Sequence, residues 1–246
     1  MLTVAAYRAC GATGDASTLA AAVEIVHAYS LVHDDLPCMD DDVVRRGRPT
    51  VHVGFGVNAA TVAGVAMVPL AAAVTMDACR SLDLDARTAR SIVGRLMRAS
   101  GAGGMVGGQL LDLLGEGRDT TLDRLETIHR GKTASLIAAA ASIGAIAAQA
   151  GERRTNALDS FGESLGLAFQ IMDDVLDVTS TTEALGKTAG RDTALRKSTY
   201  PGLMGLEAAR AMAQRKVGEA RDYLTNEGIL TDDLAGFASF VVDRAS

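Results

Sequence analysis

Apolar positions recur along this chain at three- and four-residue intervals, and no run alternates apolar with polar residues as a half-buried strand does. The pattern predicts helix after helix. Breaks are expected at 11–17, 46–56, 81–85, 115–120, 151–154, 179–199 and 226–231, where glycine, proline and small polar residues collect. Thr120 or Thr121, followed by acids, marks a helix start. The glycine-rich stretch 101–108 marks a place where a helix breaks or packs closely.

Two groups of aspartates interrupt this apolar pattern. Asp34, Asp35 and Asp40 follow Tyr29-Ser30-Leu31-Val32, and Asp173, Asp174 and Asp177 follow Leu167 to Met172. A solvated acidic face would be mixed with other polar residues, whereas these acids sit at one end of apolar helices. Carboxylates there carry propensity and desolvation costs that a bound divalent cation offsets. In a regular helix Asp173 and Asp177 lie about 40° apart around the axis and Asp174 and Asp177 about 60°, so all three can face one cavity. Asp34 and Asp40 would stand about 120° apart, so Pro37 is expected to loosen or kink the turn between them. Cations complete the picture: Arg45, Arg46 and Arg48 follow the first cluster, with Arg130 and Lys132, Lys187, and Lys197 further on. Carboxylates for magnesium together with arginine forks and lysine point charges suit a diphosphate.

Composition narrows the classes. The 246 residues, 48% hydrophobic with 4 prolines and no tryptophan, suit one large helical domain with a sizeable core. A net charge of -6 without a basic stripe argues against nucleic acid, and Cys10, Cys38 and Cys79 form no disulfide or zinc pattern. The stretches 49–76 and 133–151 contain no Asp, Glu, Lys or Arg and are long enough to span a bilayer. They are rich in alanine, glycine, threonine and serine, and His52, Asn58, Pro69 and Gln149 interrupt them, so they are expected as buried central helices rather than spans. The first residues lack the basic region of a signal peptide, which with the unpatterned cysteines suggests the cytoplasm. Two Gly-Lys-Thr triplets, at 131–133 and 186–188, fail as P-loops because Glu126 and Thr181 stand where the first glycine belongs.

Five ordered motifs run from about Glu24 to Glu207: the first acidic cluster ending in Arg45-Arg46-Gly47, Gly107-Gly108-Gln109, Lys132-Thr133, Phe169-Gln170 with the second acidic cluster, and Gly186-Lys187 through Tyr200-Pro201. With these motifs the chain resembles the trans-isoprenyl diphosphate synthases of the farnesyl and geranylgeranyl kind. The resemblance implies an all-α, single-domain bundle around a central cavity over residues 1–246, acting as a homodimer on an allylic diphosphate and isopentenyl diphosphate. It implies Mg²⁺, three ions with substrate bound, held by Asp34, Asp35, Asp40, Asp173, Asp174 and Asp177. Arg45, Lys132, Lys187 and Lys197 would hold the leaving diphosphate, and the long 179–199 segment with Lys187, Arg191 and Lys197 would close over it. His27 and Arg46 would bind isopentenyl diphosphate, and oxygens of Lys132, Thr133 and Gln170 would face the allylic cation. Chain length in such enzymes is set just before the first cluster, so Tyr29 and Ser30 would floor the prenyl pocket and favour farnesyl diphosphate. Cys38 within the cluster keeps geranylgeranyl diphosphate as the alternative product.

Two departures carry expectations. Members usually begin with a helix leading to Gly-Gly-Lys-x-Arg-Pro, and Met1-Leu2-Thr3-Val4 begins just where that motif would have ended, which implies weakened isopentenyl diphosphate binding. Gly64-Val65-Ala66-Met67 replaces a Gly-Asp-Ala-Leu, so valine is expected where an acid lies near the core. A noncatalytic partner subunit or a class I terpene cyclase remain as other readings, although both acidic clusters are intact and the second is not of the cyclase type.

Overall fold

The computed structural model describes residues 1–118, 120–179 and 197–243. Lys187 and Arg191 lie outside these residues, as does most of the polar segment expected to close over the diphosphate. The described elements are α1 (Leu2–Ala9), α2 (Ser17–Asp34), a hairpin of β1 (Val44–Arg45) and β2 (Arg48–Pro49), α3 (Val51–Phe55), α4 (Val57–Ser81), α5 (Ala86–Ser100), α6 (Met105–Gly115), α7 (Leu122–His129), a π turn (Arg130–Ala134), α8 (Ser135–Ala147), α9 (Gly151–Thr179), α10 (Tyr200–Met204), α11 (Leu206–Asn226) and α12 (Asp232–Asp243). The all-α expectation holds, and the two-residue strands are local to one turn. Helix starts follow capping chemistry: Asp85 accepts from the Thr88 N–H, Thr121 from Arg124 and Thr199 from Gly202. The break expected at 151–154 falls slightly earlier, because Gln149 takes a left-handed φ of 53° and Gly151 already opens α9.

Helix α8 forms the axis of the bundle. Its alanines and Ile143 are buried on every side, as the charge-free sequence predicts, with α9 against one flank and α1, α2 and α5 against others. Close crossing with α9 depends on small residues: a Cβ at Gly162 would lie 2.5 Å from the Cα of Ala138, and one at Gly166 2.5 Å from that of Ala134. Two apolar clusters flank the axis. One joins α9, α11 and α12 through Phe161, Ile171, Leu224 and Leu234; the other joins α2, α4 and α5 through Leu19, Val26, Ala71, Ile92 and Leu96.

Helix α4 overturns an expectation. It is not a central helix: a stripe of small residues, Ala60, Gly64, Ala71, Thr75, Ala78 and Cys79, is buried against its neighbours, and the wider apolar face points outward. Val62, Val65 and Leu70 are 67%, 61% and 51% exposed. Small side chains let α4 approach α2 closely, so a narrow stripe suffices for packing. Val65 therefore does not lie near the core of this chain. Among the described residues α4 is also the one helix long and apolar enough to cross a membrane by length and composition, with 22% of its apolar window buried.

Candidate active site

The first acidic cluster departs from the expected kinked helix. Helix α2 ends at Asp34, because the Pro37 ring disfavours helical backbone at Leu36 and supplies no N–H. A run of turns follows, in which the Leu36 N–H donates to His33 O and the Asp40 N–H donates back to Asp34 O at 2.9 Å. Folding the chain back brings Asp40 beside Asp34, which a continuous helix could not do. Burial pushes the Asp34 carboxyl up to about 6; Lys132 and Arg45 hold it down while Asp40 and Asp35 push it further up. Asp35 is buried and taken by Arg45, whose Nε donates to its two oxygens at 2.8 and 3.0 Å and whose Nη2 lies 2.6 Å away. An expected metal ligand and an expected phosphate ligand thus neutralise each other. The hairpin after Arg45 turns on Arg46 and Gly47, with φ of 53° and 72°, pairing Arg45 with Arg48.

Lysines link this cluster to α6. Lys132 Nζ lies 2.6 Å from Asp112, and Lys197 Nζ lies 2.9 Å from Asp40 and 3.4 Å from the same Asp112 oxygen. Burial opposes charge on Lys132, yet Asp112, Asp34 and Asp40 outweigh it and raise its pKa. Burial likewise opposes charge on Asp112, and the two lysines more than compensate, so its pKa is lowered. The sequence reading missed Asp112, although it is the only charged residue in Met105–Gly115, the same signal that picked out the clusters. Lys132 and Thr133 sit in the π turn between α7 and α8, an irregularity often found at functional sites. Gly108 seats that turn: a Cβ there would lie 2.0 Å from the Lys132 nitrogen.

In the second cluster Asp174 and Asp177 are buried and Asp173 is partly so. Asp174 accepts the Tyr200 N–H at 3.0 Å with one oxygen and Gln170 Nε2 at 3.0 Å with the other, tying α9 to α10. Gln170 Oε1 in turn accepts Thr133 Oγ1 at 2.9 Å. Asp173 contributes its field at His129 together with Asp112, Lys132 and Lys197, so the two clusters bear on one charged region. Among the described residues no group of three acids, histidines or cysteines could enclose a metal ion alone. The desolvated Asp34, next to Asp40, is the observation that fits a hard cation: a positive ion there would relieve both burial and repulsion.

Beside the charged region lies a cavity of about 390 Å³. Its wall includes the polar side chains of Asp34, Lys132, Glu24 and His27, the apolar ones of Val23, Leu31, Leu136, Ile137, Ala140 and Phe169, and also Gln109 and Thr133. His27 is held below its usual pKa by burial, and Arg46 and Arg45 add to the effect against Glu24, so the hairpin arginines bear on the His27 site. Ser30 lines the cavity and Tyr29 does not. Tyr29 meets the His33 ring edge-on, centroids 5.0 Å apart. His33 Nε2 contacts Thr61 O at 3.1 Å and presses on Gly64, where a Cβ would lie 2.0 Å from that nitrogen. Asp34, His27, Ser30, Lys132 and Thr133 thus share one cavity wall, Lys197 joins Asp40 to the Lys132 partner Asp112, and Gln170 joins Thr133 to Asp174. Arg46 stands exposed at the hairpin tip, and Cys38 is exposed and free.

Known proteins resemble this chain in sequence and in fold. The sequence profile of polyprenyl synthetases matches residues 1–227. The chain is 48% identical over 229 residues to the farnesyl diphosphate synthase of Escherichia coli (strain K12), covering 92% of this chain and 76% of that one. It is 43% identical over 251 residues to geranylgeranyl pyrophosphate synthase 12, chloroplastic, of Arabidopsis thaliana, covering 99% and 69%. A geranyltransferase of Helicobacter pylori, solved with magnesium and isoprenyl diphosphate, superimposes with a TM-score of 0.83 at 30% identity over 98% of this chain and 82% of that one. A polyprenyl synthase of Caulobacter crescentus CB15, solved with calcium and isoprenyl diphosphate, gives 0.86 at 28% identity over 100% and 84%.

Proposed function

Because the chain belongs to the polyprenyl synthetase family and is an enzyme of prenyl chain elongation, we propose that it joins geranyl diphosphate to isopentenyl diphosphate, releasing farnesyl diphosphate and diphosphate. The observation that carries this reading is a cavity whose wall combines charged Asp34 and Lys132 with apolar Leu136, Ile137, Ala140 and Phe169. An allylic diphosphate likewise combines a charged group with an apolar tail. Asp34, Asp40, Asp173 and Asp177 would hold Mg²⁺, three ions in the full reading, while Asp35 orients Arg45 and Asp174 orients Gln170. Magnesium, when bound, withdraws charge from the leaving diphosphate and lowers the barrier to ionisation.

This chain's residues do the rest. Lys132 and Lys197, with Lys187 from outside the described residues, add preorganised positive charge where the leaving oxygen becomes negative. The Thr133 hydroxyl donates its proton to Gln170, so its oxygen lone pairs remain available to the allylic cation. Apolar walls keep water from capturing that cation. His27 and Arg46 would receive the second diphosphate. After carbon–carbon bond formation the leaving proton passes to diphosphate, since His129 is buried and held neutral behind the lysines rather than on the cavity wall.

We read the active form as a cytoplasmic homodimer, with the exposed apolar face of α4 covered by a second copy rather than by lipid; Asn58, Pro69 and Asp77 within it argue against a span. One observation favours the twenty-carbon alternative: small Ser30, not Tyr29, lines the cavity. Incubation with Mg²⁺, geranyl diphosphate and isopentenyl diphosphate, with products resolved by chain length, tests the proposal. Farnesyl diphosphate supports it, geranylgeranyl diphosphate selects the alternative, and no product rejects both.

A further inference from the structure

Two glutamines stand near the reacting end of the cavity, and their surroundings are opposite. Gln170 is engaged at both ends of its amide, accepting from Thr133 and donating to Asp174. Gln109 is 7% exposed, lines the cavity, and neither its Oε1 nor its Nε2 has a hydrogen-bond partner. A buried amide left unpaired is destabilising, and groups of this kind in a native fold call for a reason. The prenyl tail supplies none, because it has no polar atom.

The position of Gln109 is fixed by its neighbour. Gly108 packs directly on the π turn, its Cα serving as the nearest heavy atom, at 3.0 Å, to a Cβ built on Gly131. Gln109 follows one residue later, about 3.8 Å along the chain, so its amide enters the cavity beside Lys132 and Thr133. Those residues border the bond that breaks in the proposed reaction. Gly104 and Gly107 leave no slack either: a Cβ at either would lie within 2.1 Å of a carbonyl oxygen of the preceding turn, 2.1 Å from Ala99 and 1.9 Å from Ala102.

Resting on the reading given under Proposed function, we propose that Gln109 is a catalytic residue whose amide oxygen faces the allylic carbocation. A preorganised dipole with no competing partner stabilises developing charge without having to break a hydrogen bond first. Gln170, already committed to Thr133 and Asp174, serves by orienting Thr133. The negative end of the Gln109 amide meets positive charge only after the carbon–oxygen bond of the allylic diphosphate has broken. Its contribution therefore belongs to the transition state and not to substrate binding.

The test uses the full chain with Mg²⁺ and the variant Gln109→Met, similar in length and apolar. Removing an unpaired buried amide should leave the melting temperature equal or higher. With geranyl and isopentenyl diphosphates kcat should fall by on the order of 10- to 100-fold, with KM unchanged. Two analogues supply a readout that needs no turnover: uncleavable geranyl S-thiodiphosphate, which is neutral at the branching carbon, and an analogue carrying an ammonium nitrogen there. Wild type should favour the ammonium analogue, and Gln109→Met should lose about tenfold of that preference while binding the neutral analogue as before. If Gln109→Met does not fold, Gln109→Glu carries the test and should bind the ammonium analogue at least as tightly as wild type. Unchanged kcat, or equal weakening of both analogues, overturns the proposal. A wild type that shows the analogue preference yet forms no product sinks the elongation reading alone; one that binds neither analogue overturns both.

Discussion

Asp34 and His129 are charged or neutral for the same reason, loss of water, and their titrations run in opposite senses. Asp34 is pushed up to about 6, so below that pH it holds a proton where a cation should bind. Mg²⁺-dependent diphosphate binding should weaken as pH falls through 6, by about tenfold per unit below it. Calorimetry at pH 7 and pH 5 checks this, and Asp34→Asn should remove this component of the pH dependence. His129, buried against Tyr200 with ring centroids 5.4 Å apart, is held down to about 4 by burial. The unfolded chain, with a histidine pKa of about 6.5, binds the extra proton first. His129 therefore lowers stability as pH falls from about 6.5 towards 4, by about 2 kcal/mol between pH 7 and 5. Urea unfolding at both values should show that loss in wild type relative to His129→Gln, a comparison in which the opposite effect of Asp34 cancels.

At this scale the sequence was most informative where residues come in groups. Paired aspartates within apolar helices announced themselves, as did the arginine run after Asp42. Single residues did not. Asp112 is one acid among leucines and Gln109 one amide after two glycines, and each gains meaning only from what another helix places opposite it. Tyr29 and Ser30 show the same limit: the sequence picks out both, and which one faces the cavity depends on how α2 is rotated against α4 and α8.

Between elements, the sites depend on close approaches that leave little room for change. Helix positions could be read from periodicity and caps, and α8 was recognisable as buried from its charge-free run. The end of α2 was not, because Asp40 is folded back by backbone hydrogen bonds that leave no side-chain signature. Gly108 makes one of the tightest of these contacts, backbone against backbone. Gly108→Ala would place a carbon 2.0 Å from the Lys132 nitrogen, and only separation of α6 from the π turn can relieve it. We expect about 1–3 kcal/mol of destabilisation in denaturant titration. Because Lys132 and Gln109 move apart with the two elements, kcat should fall further than that destabilisation alone would cause, which single-turnover assays at saturating substrate would show.

For the whole molecule, the outward face of α4 contradicts the intuition that a helix with a long charge-free run must be central. Composition alone cannot separate a helix buried within one chain from one whose apolar face is left for another surface. Charge on this face should act on association and not on folding: Val62→Asp with Leu70→Lys should keep the unfolding midpoint within about 0.5 kcal/mol per site, as surface changes do. Sedimentation velocity should then move from dimer to monomer at micromolar protein.

The ring of His33 gives that surface a second meaning. It fills the space over Gly64 on α4, and the next residue along is Asp34. Anything that shifts α4 must therefore tilt the end of α2 that carries the first carboxylate. With α4 covered by the second copy proposed above, specific activity should drop on dilution with a lag set by dissociation of that copy, and Mg²⁺ with substrate should slow the drop by holding α2 from the other side.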